Sequence, residues 1–215
     1  MTAEVEISDE DAVRTIRMNR PDKKNALTAA MYQAMAVAIE QASDDPNIRC
    51  VLIAGRPGAF TAGNDLAEFL QAAESGEGLG VNTVRFLHAL ARSKRPLVAA
   101  VQGVAVGLGT TMLLHCDYVV AGVNARFSTP FVTLGLVPEA ASSLLAPSLM
   151  GHRRAFALLV MGRPFDATAA QAAGLVNTVV SPVDVCHRLE GRSRHRRAAG
   201  RSGGGVTASS ARLAR

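Results

Sequence analysis

The sequence predicts a single α/β domain built around one large core. Two apolar runs, residues 50–54 and 97–101, each end in a glycine-containing turn and lead into a helical segment. Uninterrupted apolar runs of this length are typical of strands buried on both faces of a parallel sheet. With 215 residues, of which 48% are hydrophobic, the chain favours one sizeable core over two independent domains.

The first part of the chain predicts a β-hairpin followed by a helix. Residues 5–7 and 13–18 alternate apolar and polar side chains on either side of an acidic turn at residues 9–11, as the strands of a half-buried hairpin do. Thr28 is a suitable N-cap, and apolar residues recur at helical spacing through residues 29–42. We therefore expect two paired strands and then an amphipathic helix.

The turn after the first buried strand is the feature around which the rest of the chain is organised. Residues 59–66 read A-F-T-A-G-N-D-L and join a strand to a short helix. Gly58 and Gly63 let a ligand lie close to the main chain. A helix that begins there leaves N–H groups unpaired, and such groups can bind a negative oxygen. From these residues alone, an ordinary loop in which Asp65 only caps the helix is the better explanation of the pattern.

A second turn of the same kind follows residues 97–101. Glycines at positions 103, 107 and 109 separate that strand from a helical segment at residues 110–114. Close helix–strand packing is a sufficient explanation for one such turn. Two turns are better explained by an oxyanion site, because an oxyanion is bound by N–H donors from two separate segments. The other predicted helices cover residues 66–73, 81–91, 152–161 and 167–173, and the other strands or extended segments cover residues 117–121, 125–129 and 175–180.

Charge and composition exclude several classes of function. The net charge of +5 is uneven, because residues 186–215 carry +7 and residues 1–185 carry −2. The folded part therefore has no basic face for nucleic acid, and the Arg/Gly/Ser-rich tail at 186–215 is expected to be disordered. Three widely spaced cysteines lack metal-ligand spacing, so no metal is expected. The uncharged run at residues 96–114 contains too many polar residues and glycines for a membrane span, and we expect a cytoplasmic protein.

Four runs of the sequence resemble the crotonase (enoyl-CoA hydratase/isomerase) superfamily. They are R-P-x-x-x-N-A-L at residues 20–27, A-G-N-D-L at residues 62–66, the glycine turn at residues 102–109, and T-P-F-x-x-L-G-x-x-P-E at residues 129–139. The resemblance extends from about residue 13 to residue 180. It implies a ββα spiral fold over residues 1–185, a homotrimer or hexamer, and a C-terminal helical region that is truncated or replaced here by residues 186–215.

The resemblance also implies an acyl-CoA site whose oxyanion hole is formed by the N–H groups of Asn64 and Leu108. No cofactor is expected beyond the coenzyme A of the substrate itself. Lys23 and Lys24 are candidates for contact with its phosphates, although solvated lysines are common in such loops. Asp65 is assigned mainly to loop structure. The residues expected to bind the acyl-CoA are Ala26, Ala62, Gly63, Asn64, Asp65, Leu66, Leu108 and Gly109.

Glu139 is the candidate general base. It is the only acidic residue between Asp117 and Asp166 and lies among apolar residues, so burial would raise its pKa towards the range useful for proton abstraction. A glutamate after Pro138 is also favourable at a helix N-terminus. The two interpretations are compatible.

The resemblance favours an isomerase that shifts the double bond of 3-enoyl-CoA to 2-enoyl-CoA. The two glutamates of the family's hydratases correspond to Thr111 and Phe131, whereas Glu139 matches the single glutamate of peroxisomal-type Δ3,Δ2-enoyl-CoA isomerases. A hydratase and a non-catalytic acyl-CoA-binding protein stay open as alternatives. A serine hydrolase is less favoured, because Ser142 and Ser143 lack a G-x-S-x-G context and His115 has no evident role.

Overall fold

A computed structural model of the chain describes residues 4–75, 80–182 and 184–185. Its strands are β1 (Val5–Glu10), β2 (Val13–Met18), β3 (Cys50–Gly55), β4 (Ala59–Thr61), β5 (Leu97–Val101), β6 (Val104–Val106), β7 (Tyr118–Gly122), β8 (Arg126–Ser128), β9 (Phe165–Asp166) and β10 (Thr178–Val180). Its α-helices are α1 (Ala29–Asp44), α2 (Leu66–Ser75), α3 (Val81–Ala91), α4 (Leu108–Thr111), α5 (Ser142–Met150), α6 (His152–Leu159) and α7 (Ala167–Ala172). Short 3₁₀ turns cover Pro21–Lys23, Met112–His115 and Val132–Leu134.

Six strands form the larger sheet, in the order β1-β2-β3-β5-β7-β10. Only the β1–β2 pair is antiparallel, and all the other pairs are parallel. The apolar run of β3 is buried on both faces of the sheet, with Val51 and Ile53 in the main core and Leu52 and Ala54 in a smaller cluster on the other side. This two-sided burial explains why the run lacks polar alternation.

A smaller sheet has the order β4-β6-β8-β9, in which β4, β6 and β8 are parallel. The strands β3, β5 and β7 of the larger sheet are therefore each followed by a strand of the smaller sheet. After β4 and β6 the chain enters helices α2 and α4. This repeat of strand, strand and helix is the ββα spiral expected from the sequence.

The helices α1 and α3 supply the helical side of the main core. Met31, Met35 and Ile39 of α1 are fully buried at helical spacing, and Phe86 of α3 is fully buried with them. The hydroxyl of Thr28 accepts the N–H of Met31, so Thr28 is the N-cap of α1 as expected. This core fixes α1, and with it one wall of the site described below.

The structure corrects several element boundaries. Strand β1 continues to Glu10, so the hairpin turn lies at Asp11 and Ala12, both of which have positive φ. The segment expected as one helix at 110–114 begins at Leu108 and changes to a 3₁₀ turn at Met112. The strands β4 and β6 were missed, because three residues are too few to show a period. These two short strands position the site.

Some expectations fall partly or wholly outside the described residues. The tail at 186–215 lies entirely outside them, and the expected linker at 74–80 lies outside them at residues 76–79. Within the described part of the chain, no helix is long and apolar enough to cross a membrane. The same residues contain no group of three or more histidine, cysteine or acidic side chains arranged to hold a metal ion.

Candidate active site

Two glycine turns meet at one edge of the smaller sheet. Strands β4 and β6 are parallel and paired through Thr61 and Ala105, so the turns that follow them leave the sheet on the same side. A Cβ on Gly63 would lie 2.7 Å from the carbonyl oxygen of Val106, and a Cβ on Gly109 would lie 2.4 Å from Cγ2 of Thr61. Glycine at these two positions is therefore required for the turns to approach each other this closely.

Each of these turns carries one of the N–H groups that the family resemblance implies for the oxyanion hole. Asn64 pairs with Leu27 in a parallel bridge whose hydrogen bonds are made by the neighbouring residues, from Leu27 N to Gly63 O and from Asp65 N to Leu27 O. The N–H of Asn64 therefore points away from that pairing. Leu108 is the first residue of α4, where an N–H has no partner within the helix. Among the described residues, neither N–H donates to a backbone carbonyl.

The loop at residues 20–27 holds the first turn in place. The amide of Asn25 donates to the carbonyls of Ala59, at 2.8 Å, and Phe60, at 3.2 Å. In return, the hydroxyl of Thr61 donates to the carbonyl of Asn25 at 2.6 Å and accepts the N–H of Gly63 at 3.1 Å. Asn25 is buried and Thr61 is fully buried. These bonds explain why the R-P-x-x-x-N-A-L run accompanies the A-G-N-D-L run in the sequence.

The remaining expected ligand-binding residues surround this edge. The N–H of Ala62 donates to the carbonyl of Lys24 at 2.9 Å. Ala26 is half-buried, and its carbonyl accepts a hydrogen bond from the guanidinium of Arg20 at 3.1 Å. Leu66 is 61% exposed at the start of α2. These residues lie beside the two turns.

Asp65 is bound by groups of the protein itself. Its carboxylate lies 2.6 Å from the guanidinium of Arg20 and accepts the N–H groups of Ala67 and Glu68. The hydrogen bond from Arg20 is the main cause that holds the pKa of Asp65 below its usual value, with smaller contributions from these two amides. Asp65 thus acts as the cap of α2 and as an ion-pair partner, and it has little freedom to act as a base.

Glu139 reaches the site through α4. Its Oε1 accepts a hydrogen bond of 2.6 Å from the hydroxyl of Thr111, which lies one helical turn after Leu108. Its Oε2 is buried and has no hydrogen-bond partner among the described residues. Burial raises the pKa of Glu139 to about 7, while the bond from Thr111 acts in the opposite direction. A carboxyl with a pKa near neutrality is suited to accept and return a proton.

The expectation that Glu139 begins a helix is wrong. Residues 136–139 have no regular structure, and α5 begins only at Ser142. The residues in between, Ala140 and Ala141, both adopt left-handed conformations with φ of 54° and 53°. Left-handed alanine is strained by roughly 1–3 kcal/mol per residue. The pKa of Glu139 is therefore set by burial, and the helix dipole is not needed to explain its position.

Tyr32 binds the side chain of Asn64. Its hydroxyl donates to Oδ1 of Asn64, and its ring lies 5.5 Å from that of Phe86. Burial is the main cause that raises the pKa of Tyr32 well above its usual value, and the nearby charges of Glu139 and Glu68 add to it. The phenol therefore stays protonated and remains a donor to Asn64.

Sequence reasoning missed the roles of three side chains. Thr111 was considered only as a missing base, yet it is the donor that binds Glu139. His115 was left without a role, and its Nε2 lies 2.9 Å from the carbonyl oxygen of Ala140. Tyr32 was not singled out at all. The one available signal was sequence spacing. Thr111 and His115 lie three and seven residues after Leu108, which places them on the same side of a helical segment as Leu108.

The fold and the site together define an α/β protein of the crotonase class. A family model described as enoyl-CoA hydratase/isomerase matches residues 8–200, which extends beyond the region recognised from the motifs. The chain belongs to the enoyl-CoA hydratase/isomerase family.

Individual relatives agree with this assignment. The chain is 38% identical over 177 residues to enoyl-CoA delta isomerase 2 of Rattus norvegicus, covering 80% of this chain and 45% of the relative. It is 36% identical over 179 residues to 2,3-dehydroadipyl-CoA hydratase of Escherichia coli, covering 82% of this chain and 69% of the relative. The crystal structure of an enoyl-CoA hydratase/isomerase from Pseudoalteromonas atlantica superposes with a TM-score of 0.83 at 41% identity, covering 89% of this chain and 75% of that one. The chain therefore spans less than half of the rat relative, and these relatives carry out different reactions by name.

Proposed function

We propose that the protein binds an acyl-CoA thioester and shifts the double bond of a 3-enoyl-CoA to the 2-position. The thioester oxygen would accept hydrogen bonds from the N–H groups of Asn64 and Leu108, which makes the α-carbon acidic by stabilising the enolate. Glu139 would then take the proton from C2 and return it at C4. The proposal rests most directly on one observation, the buried Glu139 carboxyl bound to Thr111, one helical turn from the Leu108 donor.

The supply of carboxylates at the site supports an isomerase over a hydratase. Water addition in this family employs two carboxylates, and the positions that correspond to them hold Thr111 and the buried Phe131. The hydroxyl of Thr111 is engaged as a donor to Glu139. The nearest other acids have partners of their own, since Asp65 pairs with Arg20 and Glu68 accepts the N–H of Ala29 at 2.7 Å. One carboxyl is sufficient for a proton shuttle between C2 and C4.

The geometry does not favour a serine hydrolase. The hydroxyl of Ser142 is buried and has no partner within the described residues. The ring of His115 is bonded to the carbonyl of Ala140, so it is not paired with that serine. A nucleophilic serine requires a base within hydrogen-bonding distance.

We also propose that the protein assembles as a homotrimer or hexamer. Helices α5 and α6 and the two residues that follow α6 expose several large apolar side chains, and exposed apolar patches of this kind are typical of protein interfaces. The exposed residues are Leu144, Leu149, Phe156, Val160 and Met161. Light scattering on the purified protein measures the mass directly, and a monomer at micromolar concentration would contradict this part of the proposal.

The decisive experiment assays 3-enoyl-CoA and 2-enoyl-CoA side by side. We expect isomerisation of the first to exceed hydration of the second in the wild type. Glu139→Gln should reduce kcat for isomerisation by about a hundredfold to ten-thousandfold, which is the range for loss of a general base. Glu10→Gln, at the exposed end of β1, is the matched control and should leave the rate unchanged.

Two results would contradict the proposal. Faster hydration than isomerisation would identify a hydratase. Binding of CoA esters by the wild type, with no reaction rate that Glu139→Gln changes, would identify a non-catalytic acyl-CoA-binding protein.

A further inference from the structure

The contact between His115 and Ala140 has no part in the function proposed so far. His115 ends the 3₁₀ turn Met112–His115, and its Nε2 lies 2.9 Å from the carbonyl oxygen of Ala140. A carbonyl oxygen can only accept, so Nε2 must carry the hydrogen and donate it. The histidine is half-buried, which partly protects this bond from competition with water.

The backbone held by His115 is the segment that carries Glu139. Ala140 and Ala141 are the two consecutive left-handed residues between Glu139 and α5. Within this turn, the N–H of Ser142 donates to the carbonyl of Glu139 at 2.9 Å. Among the described residues, His115 is the only side chain hydrogen-bonded to the backbone of residues 136–141. The strained turn therefore depends on this ring for its side-chain support.

A single helical segment makes all of these contacts. Leu108 begins α4 and carries one oxyanion N–H, Thr111 binds the carboxyl of Glu139, and His115 binds the backbone that follows it. The base is thus held at its carboxyl end and at its backbone end by residues four positions apart on one helical segment. The distance between the oxyanion donor and the base is fixed by that segment.

We propose that His115 is a positioning residue, whose hydrogen bond to Ala140 fixes the left-handed turn and so directs the carboxyl of Glu139 towards Thr111 and the turn that carries Leu108. The consequence for catalysis rests on the function proposed above. Its effect on the turn does not, because the structure of residues 139–142 is a property of the protein without substrate.

The test compares two substitutions that differ in the donor. His115→Leu removes the N–H at similar volume, whereas His115→Gln places an amide N–H at nearly the same distance from the backbone. We expect His115→Leu to lower kcat by ten- to a hundredfold with KM within twofold, because a misplacement of about 1 Å can cost a hundredfold in rate. His115→Gln should recover the rate to within about threefold of the wild type. His152→Leu, at the exposed start of α6, is the control and should have no effect.

Amide hydrogen exchange at Ser142 provides a readout that does not need turnover. We expect exchange at least fivefold faster in His115→Leu and unchanged in His115→Gln and His152→Leu. If the wild type does not isomerise 3-enoyl-CoA but this exchange pattern is found, the proposed function fails and the positioning role stands. If His115→Leu does not fold, His115→Asn takes its place, since its amide falls short of the carbonyl.

Three outcomes would overturn the inference. The first is an amide exchange rate at Ser142 in His115→Leu that equals the rate in the wild type. The second is a His115→Gln variant as impaired as His115→Leu, which would show that the ring acts through packing. The third is a rise in KM at unchanged kcat, which would place His115 in substrate binding.

Discussion

The two halves of the site are held in place in different ways. The half that carries Asn64 is bound to the loop at residues 20–27 by mutual hydrogen bonds, and Asn25 and Thr61 are buried between them. The half that carries Glu139 is attached by two side chains, Thr111 and His115. The first half is held by several buried bonds between side chains and backbone, and the second depends on the contacts of two side chains.

The surroundings of the two halves differ as well. Around Glu139 the apolar side chains of Val132, Leu134, Val137 and Leu144 are exposed, and Val137 is 80% exposed. Beside Asn64, Leu27 and Phe60 are almost fully buried, although Leu66 at the start of α2 is 61% exposed. Exposed apolar side chains next to a buried carboxyl are typical of a surface that another subunit or segment covers. The base half therefore has more exposed apolar side chains around it than the Asn64 half has.

The largest effect is expected from adding a methyl group where the two turns meet. In Gly63→Ala the new Cβ would lie 2.7 Å from the carbonyl oxygen of Val106, at a φ of 86°. We expect a loss of about 3–5 kcal/mol in the free energy of unfolding, from backbone strain and overpacking. Displacing the Asn64 donor should also lower kcat by about a hundredfold or more. Urea denaturation and the isomerase assay measure these effects.

Gly135→Ala is the matched control for that substitution in the base half. Gly135 also has positive φ, 69°, but a Cβ there meets no atom within 4 Å. We expect a cost of about 1–2 kcal/mol from strain alone. Equal costs at the two glycines would show that the oxyanion half is not more closely packed than the base half.

The next largest effect concerns the buried carboxyl of Glu139. Its pKa is raised from 4.5 to about 7 by burial, so as the pH rises from about 4.5 to 7 the unfolded state loses its proton while the folded state retains it. The folded protein therefore loses stability over this range, by about 3 kcal/mol in total at 1.36 kcal/mol per pKa unit.

Glu139→Gln should remove this dependence on pH. The variant should equal the wild type in stability at pH 4 and exceed it by up to about 3 kcal/mol at pH 8, as measured by urea denaturation at both pH values. Glu10→Gln serves again as the control and should show no such difference. The opposite result would be a stability difference between the wild type and Glu139→Gln that is the same at pH 8 as at pH 4. It would mean that this carboxyl is not buried in solution.

A smaller effect is expected from the hydroxyl that binds the base. Thr111→Val removes the hydrogen bond that stabilises the carboxylate form, so the pKa of Glu139 should rise further above 7. The acidic limb of the profile of kcat/KM against pH should move upward by roughly one unit. Thr110→Val is the control, because the hydroxyl of Thr110 donates to Ala105 at 2.6 Å and does not contact Glu139. If the acidic limb moved in Thr110→Val and not in Thr111→Val, the assignment of Thr111 as the donor to Glu139 would be wrong.

The smallest effect concerns the strained turn itself. Ala141 is exposed and left-handed, with φ of 53°, a conformation that glycine adopts without strain. Ala141→Gly should therefore stabilise the protein by about 0.5–1 kcal/mol. Ala169→Gly, in the exposed face of α7, should destabilise it by a similar amount. Thermal unfolding distinguishes the two signs, and a destabilising Ala141→Gly would show that the turn is not strained.

Local pattern was sufficient to predict the longer elements. Helix α3 was predicted to the residue, and β5 was as well, because an amphipathic helix and a buried apolar strand each carry a period or run that lies within one window of sequence. The short strands β4 and β6 carry no such signal. Their existence depends on the pairing of β4 with β6 and of β6 with β8. These pairings join residues too far apart in the chain to appear in one window of sequence.

The sequence by itself therefore determined the α/β class, the family motifs, the two glycine turns and Glu139 as the lone acid in an apolar segment. Only the tertiary structure decided how these features meet. The bonds of Glu139 with Thr111, of Ala140 with His115 and of Tyr32 with Asn64 join residues 28, 25 and 32 positions apart. Contacts at such separations are set by strand register and core packing, and no local pattern of side chains encodes them.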